Sequence, residues 1–350
     1  MTTTGRNTSL HTRHHPSVST FHILKRVLTM YRQLKKQERY LNSYLPVLLA
    51  DVAPGSHETF TPAQIKRTTK YWQLSLNVIS DNLYKLTGKK LNSDEYKRII
   101  LLSVFGPLFD DLFDDHILDH KQIASLVSKP EAYVPVNTTD NLVTKIYLEL
   151  LGLSPHRQLL INHMQELSHW QQASLKQLHD NITEEELYQI TYNKSYYAVL
   201  LYCAVLDHYP TQEILEILYP VAGLLQLTND AFDVWKDVQK GVYTLPNLYR
   251  NFEQLKQQFL SETAVINHKL WQLPYPARNK QTFAITVHCL PAMGWMALEQ
   301  LQKVIGEISG FAALQKLTRR QLVCDMDSIQ QQMKWLRNIR RFANYYDTKN

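Results

Sequence analysis

The sequence predicts an all-α protein, with residues 18–350 forming one large helical domain. Three observations lead there. Apolar residues recur every three or four positions through most of the chain, the spacing of a helix with one buried face. No run of alternating apolar and polar residues between turn signals is long enough for a credible strand. Ten glycines and 14 prolines in 350 residues are too few for the many turns of an all-β chain. A hydrophobic fraction of 44% is ample for one core.

Taken in order, residues 1–17 (MTTTGRNTSLHTRHHPS) are polar and aperiodic and read as a disordered tail. His11, His14 and His15 read there as solvated side chains. Residues 21–48 are helical, with Phe21, Leu24, Leu28 and Tyr31 on one stripe. A loop holding Pro54 and Gly55 follows. Thr61 caps a helix that has Pro62 in its first position and stops at Gly88. Ser93, with Asp94 and Glu95 behind it, starts the next helix. Gly106-Pro107 predicts a kink in that helix. Residues 119–137, with Pro130 and Pro135, read as a loop able to cover whatever lies at the helix end. A helical pair follows at 140–151 and 155–178. Thr183 caps another helix, with Glu184, Glu185 and Glu186 in its first turn. Thr211 starts one that ends near Gly241. The remaining helices are expected at 251–272, 278–306 (bent at Pro291) and 311–346.

Charge and cysteine content narrow the function classes. Lys and Arg number 38 against 32 Asp and Glu, a net charge of +6, which helps attract an anionic substrate. No long basic run marks a nucleic-acid partner. Cys203, Cys289 and Cys324 are odd in number and scattered, which fits reduced thiols in a cytoplasmic chain. No apolar run approaches the roughly 18 residues of a membrane span. Weak contact with a membrane surface is the most that is expected there.

Two acidic stretches stand out. In LQLTNDAFDVWKDVQKGVYTLP (residues 225–246), Asn229, Asp230, Asp233 and Asp237 interrupt an apolar helical pattern. At 100° per residue they fall within an arc of about 100° and rise about 12 Å along the axis. Like charges one turn apart repel, and a hard divalent cation reverses that cost. In FGPLFDDLFDDH, Asp110, Asp111, Asp114 and Asp115 repeat the arrangement between Phe and Leu residues. One such cluster alone reads as a solvated face. Two, each apolar on its other sides, read as buried stripes facing one cavity, where Mg²⁺ would hold a substrate phosphate.

The pattern resembles the class I isoprenoid synthases, all-helical enzymes that ionise prenyl diphosphates. DDLFDD resembles their first Asp-rich motif. The second stretch is most similar to the squalene and phytoene synthase pattern LQxTNxxxDVxxDxxxGxxxLP. This chain supplies Leu225, Gln226, Thr228, Asn229, Asp233, Val234, Asp237, Gly241, Leu245 and Pro246 at that spacing. Asn229, Asp233 and Asp237 also resemble the terpene cyclase metal motif. The resemblance covers about residues 100–120 and 190–250. It implies a helical bundle around a central active-site cavity and a set of three Mg²⁺ ions. Asp110, Asp111 and Asp115 would hold metal from one helix and Asn229, Asp233 and Asp237 from the other, with Asp114 and Asp230 behind them. Asp111, Asp233 and Lys194 would be the catalytic set.

A carbocation also needs a dry cavity and aromatic faces. Phe109, Phe113, Tyr192, Tyr196, Tyr197, Phe232 and Trp235 flank the acidic stretches and are candidates for that wall. Lys194-Ser195 is similar to the diphosphate-contacting Lys-Thr or Lys-Ser pair of chain-elongating relatives, and Lys236 is a second cation at hand. Arg337, Arg340, Arg341 and Tyr345 loosely resemble the Arg-Tyr pair that closes over diphosphate in cyclases, and read more simply as a basic face. Phe232 and Val242 replace two arginines of the squalene and phytoene pattern, and His116-Ile117 replaces the paired arginines of chain elongation. The expected activity is therefore that of a terpene synthase or cyclase. Head-to-head condensation of two prenyl diphosphates is the alternative, and a non-catalytic isoprenoid-binding protein ranks below both.

Overall fold

Helix starts follow local chemistry closely. In a computed structural model, residues 17–55, 60–308 and 310–346 are described, apart from the side chain of Asp114. The predicted tail therefore lies outside the described residues except for Ser17. Helix α1 spans Thr20–Val52, capped by Ser19. Thr61 and Gln64 form a reciprocal capping box for α2 (Pro62–Leu74). Asn92 and Glu95 do the same for α4 (Ser93–Asp114), so the cap is Asn92 and Ser93 is already the first helical residue. Thr183 and Glu186 box the start of α8 (Glu184–Ala204). Each box satisfies two backbone N–H groups that the first turn leaves without partners. Helix α9 (Gln212–Lys240) stops at Gly241, whose φ of 68° is the left-handed conformation that glycine adopts without penalty.

Two expectations are corrected, and the facing of one stripe is settled. Residues 119–137 contain a packed helix, α5 (His120–Ser128), with its own capping box from Asp119 and Gln122. Its Ile123, Leu126 and Val127 are buried, so the segment is anchored by a hydrophobic stripe that the flanking prolines obscured. The last predicted helix is three: α12 (Phe311–Gln315), α13 (Arg319–Leu322) and α14 (Ile329–Ala343). The Phe21–Tyr31 stripe of α1 faces outward, and Ile23 and Arg26 face the core instead.

The remaining α-helices are α3 (Asp81–Thr87), α6 (Thr138–Leu153), α7 (Arg157–Ala173), α10 (Phe252–Gln272) and α11 (Ala277–Ile305), with a 3₁₀ turn at Ser174–Leu178 and a π-helical turn at Leu245–Tyr249. The stretch between α2 and α3, Ser75–Ser80, is a π-helix, a wider turn that often marks a functional site. No strand occurs among the described residues, and no described helix is long and apolar enough to cross a membrane.

One connected core of buried apolar residues runs through the bundle. Helix α4 packs on α2 and α6; α8 packs on α7 and α9; α9 also packs on α10 and α11. Helices α9 and α11 approach closely. A Cβ added at Gly294 would lie 2.4 Å from the Thr228 hydroxyl and 3.0 Å from its Cα, so only glycine lets these helices meet. Thr228 turns its own hydroxyl back to the Leu224 carbonyl at 2.7 Å. Asn267 joins three helices: its amide donates to the Phe342 and Tyr345 carbonyls at 2.7 and 2.8 Å, and its oxygen meets His288 Nε2 at 2.9 Å. The three cysteines are buried free thiols.

Candidate active site

The end of α4 and the middle of α9 carry the two acidic stretches. Between them lies a cavity of about 420 Å³, walled also by α8, α2 and the π-helical segment. Asp110 and Asn229, one from each stretch, both line it, together with Lys194 and Ser195 of α8. Most of the remaining wall is apolar, including Phe105, Phe109, Leu102 and Leu225. The rings of Phe105 and Phe109 stack with centroids 5.3 Å apart, and Phe113 meets Phe109 edge-on at the same separation from behind. Two residues of the π-helix, Ser75 and Ile79, reach the wall as well.

Helix α2 completes the acidic end. Arg67 binds Asp111 at 2.5 Å and lies 3.8 Å from Asp110. The Tyr71 hydroxyl donates to Asp110 at 3.2 Å. The first acidic stretch thus already holds a cation, supplied by the chain itself. Sequence reasoning missed Arg67 and Tyr71. Their one available signal was a cation and a phenol one turn apart on α2, which on a partly polar helix looks like ordinary surface. Asp115 is the exposed C-cap of α4.

On α9, Asn229 is exposed to the cavity, Asp233 and Asp237 are half-buried, and Asp230 is buried. Lys236, itself exposed, approaches Asp233 at 3.3 Å. The Gln226 amide donates to Asp230 at 2.8 Å. Burial, reinforced by the charge of Asp237, pushes Asp230 up to about 7. Burial and the charge of Asp233 push Asp237 up to about 7 against the pull of Lys236 and Lys240. These carboxylates lack enough positive charge.

The donor set is of hard oxygens with surplus negative charge, which suits Mg²⁺. Among the described residues no three His, Cys, Asp or Glu side chains stand close enough together to form a ready metal cage. That is compatible with Mg²⁺, which keeps several waters and takes only one or two carboxylates along with substrate phosphate oxygens.

The other predicted site residues are spread more widely. Tyr192 is buried away from the cavity, its hydroxyl donating to Glu262 at 3.0 Å and accepting from Gln258 at 3.0 Å. Tyr196 packs edge-on against Tyr219 at 5.1 Å, and Tyr197 lies beside His163. Phe232 and Trp235 are half-buried against the core. None of these five, nor Lys236, lines the cavity wall. Arg337, Arg340, Arg341 and Tyr345 line a separate surface pocket beside the start of α1. A scan against protein-family models found no match, and a search among curated proteins found none either.

Proposed function

We propose that this chain is a Mg²⁺-dependent class I isoprenoid synthase that ionises one prenyl diphosphate, as a terpene synthase or cyclase. The observation that supports this most is that Asp110 and Asn229, 119 residues apart in two separate motifs, line one mostly apolar cavity with Lys194 and Ser195.

Asp110, Asp111 and Asp115 on α4, and Asn229, Asp233 and Asp237 on α9, would hold Mg²⁺, with Asp114 and Asp230 behind them. When bound, Mg²⁺ supplies positive charge to the oxygen from which the allylic carbon departs. Lys194 adds a second positive charge at the same end of the cavity, where negative charge develops on the leaving group. The apolar wall excludes water that would otherwise quench the cation left behind. Phe105, Phe109 and Tyr202 line the same wall, and any of their rings that turns a face to that cation would attract it through its π cloud.

The volume of about 420 Å³ lies at the small end of ligand pockets, about 300–1,000 Å³. It suits one prenyl chain better than two. Phe232 and Val242, where the head-to-head pattern has arginines, point the same way, since an apolar group gives no compensation to a second diphosphate.

The deciding experiment incubates purified protein with Mg²⁺ and, separately, geranyl, farnesyl and geranylgeranyl diphosphate, then weighs the product. A hydrocarbon or alcohol with the substrate's own carbon count is expected. A doubled carbon count would assign the head-to-head reaction instead. No turnover of any of the three would count against catalysis on these substrates.

A further inference from the structure

We propose that the outward face of α1, together with the arginine cluster of α14 at its start, docks the protein on an anionic lipid surface. The inference does not depend on the chemistry of the cavity.

Phe21, Leu24, Leu28 and Tyr31 are 70%, 41%, 55% and 61% exposed. Four large apolar side chains in succession on one helix face are unusual on a free surface. Lys25, Arg32, Lys35, Lys36 and Arg39 are exposed on the same helix. At 100° per residue all nine fall within an arc of about 140°, opposite the inward Ile23 and Arg26. The Lys35 ammonium lies over the Tyr31 ring at 5.4 Å, so charge and apolar surface are mixed along the stripe. Only one acid, Glu38, falls between residues 17 and 50. At the N-terminal end of the stripe, Arg337, Arg340 and Arg341 line an open pocket with Ser17 and Val18. An apolar stripe flanked by cations is the pattern of a helix lying in the plane of an anionic membrane interface.

Other occupants fit less well. A second copy would bring two strongly basic faces together. The preceding residues 1–16 offer only Met1 and Leu10 as large apolar side chains, and add Arg6 and Arg13 to the positive charge. Neither complements the stripe. A bilayer rich in acidic headgroups complements both of its features.

The test is co-sedimentation of the full chain with vesicles of phosphatidylcholine alone and with about 30 mol% phosphatidylserine. Binding to the anionic vesicles, weakened by salt, is expected. Replacing both apolar anchors (Leu24→Asp with Leu28→Asp) should weaken it at least about tenfold, since buried apolar area drives interfacial binding. Both positions are exposed, and an unchanged circular dichroism spectrum and melting temperature would show that the fold is intact. Charge reversal of the cluster (Arg337→Glu with Arg340→Glu) should weaken binding independently. Failure to sediment with anionic vesicles, or undiminished sedimentation of the apolar double variant, would overturn the proposal. So would a concentration-dependent dimer that the same double variant dissociates.

Discussion

The carboxylates show how strongly single groups depend on charge around them. If both acidic stretches share in holding metal, Asp111→Asn and Asp233→Asn should each lower turnover at least about 100-fold, roughly 2.7 kcal/mol of barrier, while melting temperature is preserved; diphosphate release measures it. Asp230 gives a second test. Its folded pKa lies above the ordinary value, so the folded state binds the proton more tightly and the native state loses relative stability as pH rises. The stability of Asp230→Asn minus that of the native chain should therefore grow from about pH 4 to about pH 7 and level off above, because the uncharged amide carries no such penalty. A difference that is flat with pH would contradict the assignment. His288 and His163, pushed down to about 3 and about 4 by burial, have the opposite pH dependence. Comparing the two proteins cancels their contribution. Arg67→Ala removes a cation that competes for Asp111, and should tighten Mg²⁺ binding measured by calorimetry without diphosphate. The acidic positions were legible because carboxylates among Phe and Leu stand out in a sequence. Arg67 was not, because its partner lies 44 residues away, and a cation on a partly polar helix looks solvated until the fold places it.

Among the elements, caps were legible and facing was not. Thr61 and Thr183 cap their helices as read, because an N-cap is a local interaction of a side chain with the next turn. Thr211 also precedes its helix as read, but its side chain takes no backbone N–H of the first turn. The spacing of Phe21, Leu24, Leu28 and Tyr31 identified a stripe, but periodicity alone does not say whether a stripe faces the core or the outside. Tyr192 is similar: its position beside the acidic helix was plain, but its rotation toward Glu262 depends on how α8 sits against α9 and α10. The π-helix at Ser75–Ser80 had no recognisable signature, since the sequence of a widened turn is that of any helix. Helix–helix contact supplies the prediction at this scale. Gly294→Ala would place a methyl within 3.0 Å of the Thr228 backbone. Overpacking of this kind should cost about 1–3 kcal/mol, read as a lower urea midpoint with unchanged slope. The part of the second motif between Gln226 and Asn229 therefore also serves packing, with Thr228 fitted against α11.

For the whole molecule, the all-α class was legible from periodicity and the scarcity of turn residues, while the choice of which helices pack together depends on tertiary contacts that no single stretch encodes. One contact has a consequence in time. Val18 and Asn344 exchange hydrogen bonds in both directions, Val18 N–H to the Asn344 side-chain oxygen at 2.7 Å and the Asn344 amide to the Val18 carbonyl at 3.1 Å. Arg26 reaches Thr286 at 2.9 Å. The later turns of α1 already meet α2 and the π-helix, through Leu34 with Gln73 and Gln37 with Asn77, whereas its N-terminal turns find their seat only after residue 344 has been made. At roughly 5–20 residues per second, that is a wait on the order of tens of seconds. During that interval, Ile23 and Arg26 on the inward face of α1 have no α11 or α14 to rest on. Nascent chains arrested before α14 should accordingly be cut by protease within residues 20–35, and chains released after it should resist.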